Sequence, residues 1–282
     1  MNTELPMCLL DWIDKDKIHW VNLSQNPNAI QLLRENTDKI NYVNLSLNFN
    51  AEAIALLKEN PNKIYWEYFS RNPNAVALLK ENPDKIHWGF LSRNPNAEAI
   101  ALLKENPNKI HWDCLSSNPN AIQLLKENPD KIIWYCLSLN PNAIKLMREN
   151  PDKIYWGGLS LNPNAINLLK EHPDKIDWLR LSLNPNAEAI ALLRENLDKI
   201  NWIYLSYNPN AEAIALLREN PDKIHWTNLS TNPSIFTYDY DKMRENMLLF
   251  KEDLMKERFH PRNLRKFSSW GHSCGIDDDD DE

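Results

Sequence analysis

Apolar residues recur along the chain at intervals of 22 or 24 residues, from residue 16 to residue 234. Each copy is marked by a tryptophan, replaced once by tyrosine, with a leucine or phenylalanine three residues later and a serine four residues later. The marking positions are Trp20, Tyr42, Trp66, Trp88, Trp112, Trp134, Trp156, Trp178, Trp202 and Trp226. The longer copies contain an added Ala-Glu pair. Nine full periods and a partial tenth predict a tandem-repeat protein.

Two helix-start signals occur in each period. Asn-Pro-Asn-Ala at residues 118–121 and Asn-Pro-Asp-Lys at residues 128–131 each combine a capping asparagine with a proline that suits the first helical position. We therefore predict two short helices per copy: a B helix of strong helix formers, as in residues 121–127, and an A helix, as in residues 130–138. A helix pair of this size cannot bury its apolar face alone. The sequence thus predicts an all-α fold, an α-solenoid of stacked helix-turn-helix copies.

A leucine-rich repeat is the alternative, because residues 137–140 (Leu-Ser-Leu-Asn) have the leucine–asparagine spacing of that motif. The position two before the leucine would lie in a buried strand, yet it holds Glu67, Gly89, Asp113 and Gly157 in different copies. That variation does not fit the regular apolar–polar alternation expected of a buried strand, so it favours the helical interpretation.

A helical wheel divides the predicted A helix into two faces. The tryptophan, the leucine and the serine fall together and form the predicted packing face, on which the indole fills the groove between helices. The positions one, two and five after the tryptophan fall on the opposite side and differ between copies; we call them the variable stripe. Drift at unconstrained solvent positions is one explanation, but large apolar side chains are too frequent there. We expect a partner-binding surface that includes Tyr68, Arg71, Phe90, Arg93, Tyr135, Arg180, Tyr204 and Tyr207.

The two ends of the chain leave the period. Residues 239–259 predict a longer amphipathic helix with Met243, Met247, Phe250 and Leu254 on one side. An open solenoid needs its last core face covered, so residues 235–269, with a basic segment at 262–267, are expected to be a C-terminal cap. A partner-binding helix is the alternative. Residues 1–15 are the expected N-terminal cap, residues 16–234 the solenoid, and residues 270–282 an acidic disordered tail.

Charge and composition argue against nucleic-acid and membrane partners. The net charge is −7, and the run Asp-Asp-Asp-Asp-Asp-Glu at 277–282 accounts for nearly all of it, so the repeats are close to neutral and a nucleic-acid partner is not expected. No apolar run is long enough to span a bilayer, and no basic start precedes an apolar stretch, so we expect an intracellular, cytoplasmic protein without a membrane partner.

No residue pattern indicates chemistry. Histidines directly before the tryptophan, such as His87, are exchanged for Asn, Tyr, Ile or Asp in other copies, which argues against a catalyst. Cys114 and Cys136 occupy equivalent places in adjacent copies, about one helix spacing apart, which is beyond disulfide reach. We therefore predict no enzyme activity, no catalytic residue, no cofactor and no metal site.

The repeated phrase Asn-Pro-Asn-Ala-Ile-x-Leu-Leu-x-x-Asn-Pro-Asp-Lys-Ile-x-Trp-x-x-Leu-Ser resembles the short tandem repeat of uncharacterised proteins from giant nucleocytoplasmic large DNA viruses. Residues 254–264 are similar to a terminal segment of some of them. Thr37 and Leu197 replace the proline before the A helix, and Phe49 replaces the one before the B helix. The resemblance implies a viral origin, with a virion location as one option, and an interaction role.

Three functions are compatible with these patterns. The first is a non-enzymatic scaffold that binds a host or viral protein along the variable stripe. The others are a reader of single-stranded RNA, one base per repeat, and a structural component of a virion. The oligomeric state is left open.

Overall fold

The structure, a computed structural model, describes residues 5–258. The chain divides into two compact units. One unit, Leu9–Thr237, contains all the repeats; the other combines Met1–Cys8 with Tyr238–Glu282. The first unit is an array of short stacked helices, so the predicted all-α repeat architecture is confirmed.

The repeats alternate between A and B helices. Within the described residues there are ten A helices: α1 (Trp20–Leu23), α3 (Tyr42–Leu45), α5 (Trp66–Phe69), α7 (Trp88–Ser92), α9 (Trp112–Ser116), α11 (Trp134–Leu137), α13 (Trp156–Leu161), α15 (Trp178–Leu181), α17 (Trp202–Leu205) and α19 (Trp226–Leu229). The same part of the chain has nine B helices: α2 (Ile30–Arg34), α4 (Ala51–Lys58), α6 (Val76–Glu81), α8 (Ala97–Glu105), α10 (Ile122–Glu127), α12 (Ile144–Glu149), α14 (Ile166–Glu171), α16 (Ala187–Arg194) and α18 (Ala211–Glu219).

The A helix is shorter than the sequence predicts. Instead of one helix over residues 130–138, the chain forms a 3-10 turn at Pro129–Lys131, two extended residues, and the single turn α11. Ile132 and Ile133 have ψ angles of 122° and 97°. The Ile133 N–H donates to the Ser116 hydroxyl of the preceding copy at 3.0 Å. Because that N–H is bonded outside the helix, helical pairing starts only at Trp134.

The longer copies have longer B helices, and the Ala-Glu insertion explains why. In α8 the inserted Ala97 is the first helical residue, and the Asn96 side chain accepts a hydrogen bond from the Glu98 N–H at 2.8 Å. In a short copy Asn118, the equivalent of Asn94, caps a separate 3-10 turn at Pro119–Ala121, and α10 begins only after it. The insertion thus replaces a 3-10 turn by regular helix.

The fully buried core differs in part from the predicted packing face. The leucine and serine of each A helix are buried as predicted, for example Leu91 and Ser92, and the B-helix leucine Leu103 packs with them. The marking tryptophans are only half-buried. Several of them lie under a lysine of the next copy: the Lys39 ammonium is 4.3 Å from the Trp20 ring centre. The tryptophan therefore packs at the junction between copies, with a cation–π contact on its outer face.

A ladder of buried asparagines joins the copies. The Asn94 side-chain NH₂ donates to the Ser70 carbonyl at 3.0 Å and to the Asn72 carbonyl at 2.8 Å, both in the preceding copy. Its carbonyl oxygen accepts from the Asn96 N–H at 2.9 Å. The two bonds to the preceding copy are buried, where a lost partner is costly, and the third is half-buried. Equivalent bonds are made at every copy of the repeat unit Leu9–Thr237; the ladder residues are Asn26, Asn48, Asn72, Asn94, Asn118, Asn140, Asn162, Asn184, Asn208 and Asn232.

The ladder closes on itself. The Asn26 side chain of the first copy donates to the Ser230 and Asn232 carbonyls of the tenth copy, at 3.1 and 2.8 Å. The His19 N–H donates to the Ser230 hydroxyl at 2.9 Å, and the Asn28 side chain donates to the Pro233 carbonyl at 2.9 Å. Bonds of the same three kinds join successive copies in the rest of the repeat unit, for example the third and fourth copies. The repeat unit is therefore a ring of ten copies, and the solenoid has no open end within Leu9–Thr237.

Closure changes the role expected of the two ends. A cap is needed where a terminal copy exposes its core face, but here the first and tenth copies cover each other. The tenth copy has no B helix; its place is taken by chain near both ends of the repeats, where the Leu10 N–H donates to the Ile235 carbonyl at 2.9 Å. Ile13, Ile235 and Phe236 are buried there. The expected N-terminal cap thus contributes residues 9–15 to the ring itself.

The remaining elements are a small sheet and one long helix. Strands β1 (Met7–Leu9) and β2 (Phe236–Tyr238) pair with each other, and α20 spans Tyr240–Arg258, close to the predicted bounds. Met247 and Leu254 of α20 are exposed and Met243 is half-buried, while the Phe250 side chain lies outside the description. The predicted basic segment and acidic tail lie outside the described residues.

We predict that Asn140→Ala lowers the free energy of unfolding by about 2–4 kcal/mol, because two buried carbonyls and one half-buried N–H lose their partner. Urea denaturation followed by tryptophan fluorescence measures the change. The matched control is Asn142→Ala, since Asn142 makes a single bond to the Pro119 carbonyl at an exposed site. Equal losses for the two variants would contradict a dominant role of the buried ladder.

Closure itself is tested by Asn26→Ala. In a ring, Asn26 joins two copies as Asn140 does, so the two variants should lose the same stability within about 0.5 kcal/mol. In an open array, Asn26 would lie in an end copy with no preceding copy to bond. A loss below about 1 kcal/mol for Asn26→Ala would therefore argue against the ring.

Candidate functional site

The A helices lie on the inner side of the ring. Short side chains suffice to join neighbouring A helices: the Asn44 NH₂ donates to the Val21 carbonyl of the preceding copy at 2.7 Å. Neighbouring B helices are joined by pairs of long side chains, such as Arg34 with Glu52 at 2.9 Å. Since a closed array brings its inner elements closer together than its outer ones, the A helices form the inner layer and the B helices the outer layer.

The variable stripe occupies the surface of this inner layer. It lies on the side of the A helix opposite to the buried leucine and serine, and most of its residues are exposed or half-buried; Tyr135 is 53% and Ile203 50% exposed. Side chains of neighbouring copies meet there: the ring centres of Tyr68 and Phe90 are 5.6 Å apart. The stripe is thus a continuous concave surface of differing side chains.

Tyr68 and Phe90 belong to an aromatic cluster of adjacent copies. Their ring centres are 5.6 Å apart, in an edge-to-face arrangement. Tyr65 lies 4.9 Å from Tyr68, and His87 lies 4.9 Å from Phe90. We call these four residues the aromatic cluster. Tyr65 and His87 were not among the predicted site residues, because they precede the A helix in extended conformation and do not appear on its helical wheel.

Arg71 and Arg93 take equivalent positions, five residues after the tryptophan, in the same two copies as the aromatic cluster. Both side chains are exposed. Burial by the surrounding protein lowers the pKa of the Arg71 guanidinium, and the positive charge of Arg93 lowers it further. A group that is open to water and still crowded by protein lies on a concave surface. We call the two residues the arginine pair.

Tyr135 and Arg180 are part of a second assembly. The ring centres of Tyr135 and Tyr155 are 4.3 Å apart, and the Arg180 guanidinium lies 5.0 Å from the Tyr155 ring centre. Arg180 also pairs with Asp177 at 3.4 Å. A Cβ atom on Gly157 would lie 2.6 Å from an Arg180 nitrogen and 2.9 Å from the Tyr155 hydroxyl, so glycine makes room for the stack. Burial opposes the charge of Arg180, but Tyr155, Tyr135 and Asp177 outweigh it and raise its pKa.

Tyr204 and Tyr207 lie apart from both assemblies, in the ninth copy. Neither makes an aromatic contact with another described residue. Next to them the stripe is structural: the Asn228 side chain donates to the Ile203 carbonyl at 2.9 Å, and the Asn22 side chain donates to the Thr227 carbonyl at 2.9 Å. The part of the stripe that crosses the closure therefore helps to hold neighbouring copies together.

The residue before the tryptophan serves as a helix cap in several copies. The side chains of His87, Asn201 and Asp177 each accept a hydrogen bond from the N–H three residues later, at 3.3, 2.8 and 3.1 Å. A hydrogen-bond acceptor is what this position needs, which explains why His, Asn and Asp exchange there. Within the described residues, no three His, Cys, Asp or Glu side chains converge on a common metal position.

Comparison with protein families, with curated proteins and with solved structures finds no match to this chain. The resemblance to repeat proteins of giant viruses stays a prediction. Among the described helices, none combines the length and the apolar composition needed to cross a bilayer.

We predict that Gly157→Ala destabilises the protein by about 1–2 kcal/mol, because the added methyl group displaces Arg180 from the Tyr155 ring. Helix propensity alone would give the opposite sign, a gain of about 1 kcal/mol for alanine over glycine. Thermal and urea unfolding measure the change. In an Arg180→Ala background only the close contact with Tyr155 remains, so Gly157→Ala should then be less destabilising. Destabilisation of the same size in both backgrounds would contradict the packing argument.

Proposed function

We propose that this protein is a non-enzymatic, ring-shaped repeat scaffold that binds a polypeptide segment on the inner surface formed by its variable stripe. The observation that carries the proposal is the aromatic cluster beside the arginine pair, on two adjacent copies of an otherwise repeated frame. Exposed aromatic side chains supply contact area at a low cost in conformational entropy, and arginine is enriched with them at protein interfaces.

The frame supports this proposal because its own hydrogen bonds fix the positions of the A helices. The buried ladder and the serine–backbone bonds hold each A helix in place without any help from the stripe residues of the cluster. Side chains on such a frame meet a partner with little reorganisation, which favours affinity. A rigid concave surface with a local aromatic and cationic patch suits an extended peptide or a single helix of a partner.

The RNA alternative has less support. A reader of one base per repeat needs a free stacking or hydrogen-bonding side chain in each copy. In this stripe the Asn22, Asn44 and Asn228 side chains are engaged with backbone carbonyls, and Gly157 and Gly158 provide no side chain at all. The aromatic and cationic residues of the stripe lie in only five of the ten copies, the third, fourth, sixth, eighth and ninth.

We predict that the double variant Tyr68→Ser, Phe90→Ser loses its protein partner while the ring stays folded, because both side chains are only partly buried and the ladder is untouched. Affinity capture with mass spectrometry identifies the partner, and calorimetry with the purified partner should give at least a tenfold weaker Kd.

The control for this experiment is the double variant Lys104→Ser, Glu105→Ser on the outer helix α8, where both side chains are exposed. It should bind as the wild type does. Retention of the partner by Tyr68→Ser, Phe90→Ser, or its loss in the α8 variant, would overturn the assignment of the inner surface. Circular dichroism and thermal unfolding verify that each variant is folded.

A further inference from the structure

The arginine pair stands apart from the other arginines of the protein. Each of the other arginines whose side chain the structure describes has a carboxylate within 4.0 Å; they are Arg34, Arg148, Arg180, Arg194, Arg218 and Arg244. Arg71 and Arg93 have no such partner among the described residues. Two like charges therefore lie at equivalent positions of adjacent copies on the inner surface, and neither has a carboxylate partner among the described residues.

Nearby acidic groups are engaged elsewhere. Glu67 accepts a hydrogen bond from the Tyr65 hydroxyl at 3.3 Å. Asp113 accepts from the Cys114 thiol at 3.6 Å. An anion bound by both guanidinium groups offsets the repulsion between their positive charges.

The arginine pair occurs at only one place on the ring, because the equivalent position of the other copies is uncharged. The eight other residues that lie five after the marking aromatic residue are uncharged: Gln25, Leu47, Ser117, Leu139, Leu161, Leu183, Tyr207 and Thr231. The concave surface thus carries positive charge at this position only in the third and fourth copies. Guanidinium groups bind the paired oxygens of a carboxylate or phosphate through parallel N–H bonds, which a lysine does not reproduce.

We propose that Arg71 and Arg93 together bind one oxyanion, a carboxylate or a phosphate, carried by a polypeptide segment whose neighbouring aromatic or apolar side chain packs on the aromatic cluster. This inference rests on the proposed function, because it names the chemistry of the partner for the same inner surface. The aromatic cluster supplies the apolar contact and the arginine pair supplies the charge, so the recognised element is an acidic or phosphorylated residue next to a large apolar one.

The test uses the full chain and simple probes. Inorganic phosphate and acetate are titrated into ¹⁵N-labelled protein, and the side-chain Nε–H signals of the arginines are followed by NMR. We expect saturable shifts for Arg71 and Arg93 only. In the double variant Arg71→Gln, Arg93→Gln the remaining signals should show no saturable response. The matched control is Arg34→Gln, which removes an arginine already paired with Glu52 and should leave phosphate binding unchanged.

Three short peptides separate the two anion sources and link the site to the aromatic cluster. They share a phenylalanine and differ at the next residue, which is glutamate, phosphoserine or glutamine. The glutamate or the phosphoserine peptide should bind at least tenfold more tightly than the glutamine peptide. Tyr68→Ser, Phe90→Ser should weaken the peptides and leave phosphate binding intact.

The outcomes distinguish this inference from the proposed function. Absence of saturable shifts at Arg71 and Arg93 with both anions would overturn the oxyanion site. If the captured partner is lost by Tyr68→Ser, Phe90→Ser but kept by Arg71→Gln, Arg93→Gln, the proposed function stands and the oxyanion site is wrong. If a single-stranded oligonucleotide competes for the arginine pair while none of the peptides binds, a polypeptide partner is the wrong assignment both in the proposed function and in this inference.

Discussion

The buried asparagine ladder is the interaction on which the rest of the structure depends. Each ladder side chain joins two carbonyls of the preceding copy to one N–H of its own copy, and the side chain and its bonds to the carbonyls are buried. An incomplete ladder would leave buried polar groups without partners at one end, at a cost of about 1–3 kcal/mol for each group. Closing the ladder into a ring removes the end altogether. The spacing of the A helices, their inner position and the direction in which their exposed faces point all follow from it.

Neighbouring positions of the same short A helix have different structural roles. The leucine (once phenylalanine) and the serine of the A helix are buried, and the residue before the tryptophan caps the helix in several copies, as His87, Asp177 and Asn201 do. Stripe residues then take one of three roles. Asn22 joins the first and tenth copies at the closure, Arg180 stacks within the protein, and Arg71 has no carboxylate partner among the described residues. Variation along the stripe therefore does not mean the same thing in every copy.

Sequence periodicity was sufficient to predict the copies, the B helices and the division of the A helix into two faces. It failed for the length of the A helix, because the serine of a preceding copy captures the N–H of Ile133 and a local pattern does not contain that contact. Half-burial of the tryptophans was missed for the same reason: a single helical turn leaves the indole at the junction with the next copy. Closure depends on the angle between copies, which no single copy specifies.

For the candidate site, the wheel placed Tyr68 and Phe90 on one face but could not place Tyr65 and His87, which precede the helix in extended backbone. The helical wheel also could not predict that the three stripe arginines make different contacts. Arg180 meets Asp177 only because a 3-10 turn and a one-turn helix bring the two side chains together, and Gly157 leaves space for the stack. Which charges stay unpaired is a property of the folded ring.

A closed ring also constrains how this gene can change. Each of the ten copies turns the chain by one tenth of a full circle, so recombination that removes or duplicates one period leaves a gap or an overlap where the first and tenth copies meet. An open solenoid tolerates such events, because each copy contacts only its neighbours. The number of copies in this protein is therefore set by the geometry of ring closure.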